Sequence, residues 1–361
     1  RVTRSITREA AALVTNDMAR AYRPSRTELA MMPYYGTLAF LAKGDLDGAV
    51  VEARRLALRL EESEQDATSD ERSMRAALRL LTASVFEAAG EWNDAAVARR
   101  HVVALTGDSS FAPSDGVPTV PDDSVDVLVV VEHGFAPHRV AQRAVLGLRG
   151  DVGTVLQGIT QQDARGGVFG MGSWRSNGWW WDDRTVAGGV ERDLRNLTTL
   201  AWPVLAHVLA PAPMQLAGGE TPAGAARLLV GDVGASIAAE YRRALPGILT
   251  RVAARAIARR GALELIQGGK GKRRGVATAA AVATAALDLA DTRSWSALPN
   301  GVGVQRVRVP RTAGQLRVWV GGGLASIALP PSRSPLRLAH HRAYDRMGTP
   351  LAALAAIGTV P

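Results

Sequence analysis

Apolar residues in the first third of the chain recur at helical spacing. Ala49, Ala53, Leu56, Ala57 and Leu60 fall on one face, while Glu52, Arg54, Arg55 and Arg59 point away. One face packs and the other is wet. The stretch Tyr35 to Leu60 shares its layout with residues 80 to 105: a small, apolar helical run, then Gly and an acid (Gly44-Asp45, Gly90-Glu91), then Leu46 or Trp92 and an Ala-rich second helix. Each Gly sits where a helix must end, because Gly tolerates the left-handed cap with least strain. The acid that follows suits the positive end of the next helix dipole. Residues 4 to 20 also read as helix, broken by Tyr22 to Ser25 with Pro24 before the first hairpin starts near Thr27.

Further on, the period changes. Val125 to Val131 is a buried-strand candidate, and Val302 to Val309, Gln315 to Val320 and Leu324 to Leu329 alternate or cluster as strands do, with Gly321 to Gly323 turning the last two into a hairpin. Between them, Arg192 to Leu209, Gly224 to Ala244, Leu249 to Arg259 and Val276 to Leu289 read as helices. The order predicts an α+β fold, with helical hairpins of the tetratricopeptide type followed by a mixed helix and sheet domain. The two Gly-acid pairs lie 46 residues apart, against about 34 in that repeat, and the polar stretch Glu61 to Arg72 supplies the excess. Two hairpins are fewer than the roughly three such repeats need, so the first helix and the second domain are expected to cap them as one rigid body. Thr106 to Asp123, rich in Gly, Pro, Ser and Asp, reads as a linker. This gives a helical domain at 1–110, a linker at 111–124 and a basic α+β domain at 125–361.

Composition narrows the function classes. The net charge of +9 is uneven: residues 1 to 120 carry 15 Lys+Arg against 17 Asp+Glu, so an anionic partner should meet the remainder. The absence of Cys removes disulfides, thiol catalysis and cysteine metal sites. Arg1 reads as a processed or trimmed end, compatible with a removed signal peptide. The uncharged run Gly275 to Leu287 falls short of the roughly 20 residues of a membrane span.

Three segments carry candidate chemistry. Trp174, Trp179, Trp180 and Trp181 crowd a Gly-flanked stretch, and three adjacent indoles cannot all face one interior. They read as a partner-docking or membrane-surface site, against an irregular cap over the second domain's core. Lys270, Lys272, Arg273 and Arg274 lie in GGKGKRRG, which lacks the ending and preceding strand of a phosphate loop. The plain reading is a solvated connection; the functional one is an anionic headgroup or acidic partner, and nucleic acid is disfavoured without interleaved aromatics. In ADTRSW, Asp291, Arg293 and Trp295 read as an architectural joint. Asp291 would cap a turn amide, Arg293 would tie the helical half to the sheet, and Trp295 would fill the seam; a ligand site at Arg293 is the rival reading. The six histidines show no zinc spacing, the pairs Asp122-Asp123 and Asp182-Asp183 form no acid/base couple, and no cofactor motif or nucleophile elbow occurs. Neither a metal nor a cofactor is expected, and an enzyme acting on cell-wall polymer is the minority reading.

The run ending YYGTLAFLAKGDLDGAVVEARR, the GEWNDA turn, VVVEHGFAPHRV at 129 to 140, and ADTRSWSALP followed by VQRVRVP resemble a family of bacterial tetratricopeptide-containing envelope proteins. These are usually lipoproteins, whose genes often neighbour outer-membrane activators of penicillin-binding proteins. The resemblance covers most of the chain, with Ala290 to Trp295 its most specific piece; Gly166 to Arg184 departs from it, and the family's N-terminal lipid-bearing Cys has no counterpart here. It implies a periplasmic, membrane-associated, non-catalytic protein. The expected role is a membrane-extrinsic scaffold or accessory subunit binding other subunits of a membrane complex. The alternative is a free-standing periplasmic lipoprotein that holds anionic lipid or cell-wall glycan through residues 268 to 275.

Overall fold

The computed structural model describes residues 18, 21–62, 67–114, 116, 120–147, 197–206, 209–217, 228–267, 289–329 and 335–343. Two antiparallel helical hairpins open it: α1 (Arg26–Ala42) with α2 (Leu46–Glu61), and α3 (Ser69–Ala88) with α4 (Trp92–Thr106). Both hairpin turns are built alike. Gly44 and Gly90 adopt φ of 74° and 77°. Asp45 N–H donates back to Phe40 O at 3.0 Å, and Glu91 N–H to Phe86 O at 2.8 Å. This left-handed cap satisfies carbonyls that the helix end leaves open. Asp45 then caps α2 by accepting from Gly48 N–H at 2.8 Å. Space around both glycines is open, so Gly44→Ala or Gly90→Ala should cost about 1–2 kcal/mol as left-handed backbone strain, read as a lower urea midpoint without a change in the far-ultraviolet spectrum.

The chain divides into two compact units whose boundaries differ from those expected. One unit combines Pro24–Pro137, Val208–Glu240 and Trp295–Pro361; the other combines Arg1–Arg23, His138–His207 and Tyr241–Ser294. The border drawn at 111–124 therefore runs through the interior of one unit. Phe111, in a single 3₁₀ turn after α4, packs against the hairpin core, so the stretch read as a linker is partly structural.

In the first unit a four-stranded sheet runs in the order β5 (Leu229–Asp232), β6 (Gly301–Pro310), β1 (Ser124–His133), β9 (Leu336–Ala343). β1 pairs antiparallel with β6 and parallel with β9. Period-2 alternation sends β1 residues to two cores. Leu128 and Val130 join the helices in one cluster, and Val125, Val127, Val129 and Val131 join a second sheet of β4 (Met214–Leu216), β7 (Gln315–Val320) and β8 (Gly323–Ala328) in the other. The unit is thus three layers: hairpins, sheet, sheet. Strand residues Leu128, Val130, Val302, Val304 and Leu336 share one core with the hairpins and seal them. Gly231 permits the closest approach, since a Cβ there would stand 2.9 Å from Met74 Cα on α3.

In the second unit β2 (His138–Gly147) and β3 (Leu197–Ala206) form an antiparallel ribbon. The helix expected at 192–209 is therefore a strand over its described part. Its apolar residues are continuous rather than periodic, Thr198, Thr199 and Val204 are β-branched, and pairing with β2 decides. The helix expected from Gly224 instead starts at Val233, after β5, and α5 (Val233–Gln267) continues through the run at 249–259. Tyr241 OH on α5 donates to Pro203 O of β3 at 2.9 Å. The helices expected at 4–20 and 276–289 lie outside the described residues, apart from Met18 and Leu289.

Candidate functional site

The strand β1 carries two acids on its helix-facing side, Asp126 and Glu132, separated by Leu128 and Val130. Both are buried, at 3% and 0% exposure. A carboxylate in such a place must be compensated, and each acid is, by a different group.

Glu132 lies beneath α1 and beside β9. Tyr34 OH donates to its Oε1 at 3.0 Å. His340 Nε2 and Arg342 Nη1 each stand 3.4 Å from its Oε2. Arg342 reaches on to Tyr35 OH at 3.1 Å and to the carbonyl of Ala297, with its guanidinium 5.9 Å from the Phe135 ring centre. Register explains the gathering: Glu132 is opposite Arg342, and Val130 opposite His340, in the parallel β1–β9 pair. Burial alone would raise the Glu132 carboxyl, but the hydrogen bond and charge of His340, with Arg342 and Tyr35, outweigh it and hold the group below the usual range. Burial, then the Glu132 charge, pushes both phenols well up, so Tyr34 and Tyr35 are neutral donors.

Asp126 anchors the other end. It faces Arg308 at 2.9 Å and Arg306 at 2.5 Å. Arg306 also bonds Glu87 of α3, which in turn pairs with Arg99 of α4. Here too burial opposes ionisation, and the bonds from Arg308 and Arg306 prevail, so the Asp126 carboxyl lies below its ordinary value. Two charged ties therefore clamp the hairpins to the sheet, one through α1 and one through α3 and α4. Asp126 is held by charge-assisted hydrogen bonds, whereas Glu132 Oε2 is buried without a well-formed hydrogen bond and faces its two cations at ion-pair distance.

The expected joint divides differently. Asp291 Oδ1 accepts from Arg293 N–H at 3.2 Å, a turn cap. The Arg293 guanidinium turns back on Asp291 at 2.8 and 2.9 Å and lies 5.7 Å from the Tyr22 ring, so it closes a local fork. The fork holds the Asp291 carboxyl below its usual range against the effect of burial. Trp295 does not fill a seam. It is 37% exposed and leans on Tyr35 at 5.7 Å. Its backbone makes the tie: Trp295 N–H donates to Glu28 Oε1 at 2.6 Å, while Glu28 Oε2 accepts from Ser25 N–H in the capping box of α1. Glu240 of α5 adds a second anion at the same helix start, accepting from Arg26 and Thr27 N–H at 2.8 and 2.7 Å.

Trp174, Trp179, Trp180 and Trp181 lie outside the described residues, within the connection 148–196 that joins β2 to β3 in sequence. Lys270, Lys272, Arg273 and Arg274 also lie outside them. Glu28, Glu132, His340 and Arg342 were not singled out from sequence. The available signal was a lone acid ending a run of valines, which only a buried partner explains.

Among the described residues no group of three potential metal ligands occurs, and no helix is long and apolar enough to cross a membrane. No family model, curated protein or solved structure matches the chain.

Proposed function

We propose that this chain is a non-catalytic, membrane-extrinsic scaffold or accessory subunit of a bacterial envelope complex. The observation that carries the reading is the outer face of α2. Its inner residues are sealed in the core, whereas Val51 and Leu58 are 47% and 59% exposed. Spaced seven apart, they share one face of the helix, with Arg54 and Arg55 between them also exposed. Val97 on α4 is exposed as well, at 40%. The inner residues Ala49, Ala53, Leu56 and Leu60 fix α2 in the shared core and keep this surface preformed, so a partner would bind it with little ordering cost. The envelope setting rests on the sequence resemblance.

The test is purification from native membranes in mild detergent, comparing the natural chain with a Val51→Asp/Leu58→Asp double variant. The natural chain is expected in a complex of defined composition. The variant should retain its helical spectrum and lose the accompanying subunits, because a charge in a desolvated interface centre weakens binding tenfold or more. A natural chain that is strictly monomeric in the membrane extract would refute the reading.

A further inference from the structure

The outer face of the β4–β7–β8 sheet is built unlike an ordinary solvated surface. Alternation puts Leu316, Val318 and Val320 of β7 into the core and leaves Gln315, Arg317 and Trp319 outside. Trp319 is 39% exposed. The register places Gln215 of β4 on one side of it and Leu324 of β8, 48% exposed, on the other. Arg317 lies two positions along the same strand, opposite Ser326, whose hydroxyl donates to Gln315 Oε1 at 2.8 Å. Among the described residues Arg317 has no acidic partner, and the outward positions of the three strands include no carboxylate.

We infer that this face binds a polysaccharide carrying carboxylate groups. A sugar ring presents polarised C–H bonds on its flat side and hydroxyls around its rim, so it needs an exposed aromatic plane flanked by groups that both donate and accept. Trp319 supplies the plane. The Gln215 side-chain amide offers both donor and acceptor, the Gln315 amide its N–H donors, and the Ser326 hydroxyl, whose proton is given to Gln315, an acceptor. Arg317 supplies a planar fork for a carboxylate, and the absence of acids on the face leaves that charge to be met from outside. Strand geometry puts Gln315, Arg317 and Trp319 in a row about 13 Å long, which suits an extended sugar chain lying along β7. A protein interface of the usual kind would centre on a larger apolar patch; here Trp319 and Leu324 are set among four polar side chains. The inference stands apart from the docking face on α2, and the two can fail separately.

The experiment is affinity electrophoresis of the full chain through gels containing hyaluronan, which carries a carboxylate on every second sugar, with neutral dextran and inorganic polyphosphate as parallel matrices. Retardation by hyaluronan is expected. Trp319→Ala should weaken it about tenfold or more while leaving migration through polyphosphate unchanged, and Arg317→Gln should weaken binding to hyaluronan and not to dextran. Both substitutions are at exposed positions, and a two-state urea transition with unchanged slope shows that each variant folds. Equal retardation of Trp319→Ala and the natural chain by hyaluronan would overturn the inference. So would retardation by polyphosphate alone, which would reveal general attraction to the basic chain, or loss of stability in Trp319→Ala without loss of retardation, which would reduce the Trp319–Leu324 pair to a hairpin clasp.

Discussion

Glu132→Ala is expected to lower the unfolding free energy by about 3–5 kcal/mol, because it leaves the part-buried Arg342 guanidinium and the buried Tyr34 hydroxyl without the anion they face. Glu132→Gln keeps the shape and one acceptor and should cost less. The two substitutions also separate packing from charge through pH. The Glu132 carboxyl is held below its ordinary value of about 4.5, so its contribution is fully present above that pH and is lost as pH falls through the lower folded value. The stability difference between the natural chain and Glu132→Gln should therefore shrink as pH falls below that value. Asp126, also depressed, contributes an acid loss of the same sign to both proteins and cancels in the comparison. Urea unfolding followed by circular dichroism at stepped pH measures this directly. A difference that stays flat to pH 3 would show that the carboxylate charge is not what clamps α1 to the sheet.

Leu128→Ala should be comparably damaging, at about 2–5 kcal/mol. Leu128 is fully buried at the contact between the hairpins and β1. The control is Leu58→Ala, at an exposed position, expected within about 0.5 kcal/mol of the natural chain. If the hairpins and the sheet were independent bodies, Leu128→Ala would split unfolding into two transitions. A single cooperative transition at lower urea is expected, because one core joins residues from all four helices to β1, β6 and β9.

The parts legible beforehand were those whose physics is local. The cap at Gly44 and the cap at Gly90 are each written within about six residues, and so was the alternation of Gln315 to Val320, with Gly321 and Gly322 at positive φ turning it into β8. The Leu197–Ala206 strand was not legible, because an unbroken apolar run has no period and its state depends on β2, whose paired residues, from Gly147 opposite Leu197 to His138 opposite Ala206, lie far earlier in the chain. The Asp291–Arg293 fork could be anticipated in its residues but not in its direction. Whether a guanidinium reaches across a fold or bends back two positions depends on which carboxylate is nearest once the chain has closed. The Glu132 site was least legible, since Tyr34, Glu132, His340 and Arg342 come from the beginning, middle and end of the chain.

By itself the sequence determined the class of fold, the two hairpins with their Gly-acid turns, and the strands whose alternation is complete within six to ten residues, because these follow from backbone sterics and periodic burial. Only the tertiary structure decided that the hairpins share one unit with the four-stranded and three-stranded sheets, that Glu132 and Asp126 are the points at which the hairpins are clamped, and that Trp319 stands on an outer face beside Arg317. Those outcomes depend on strand register and on electrostatic compensation between residues distant in the chain, which no short window of sequence contains.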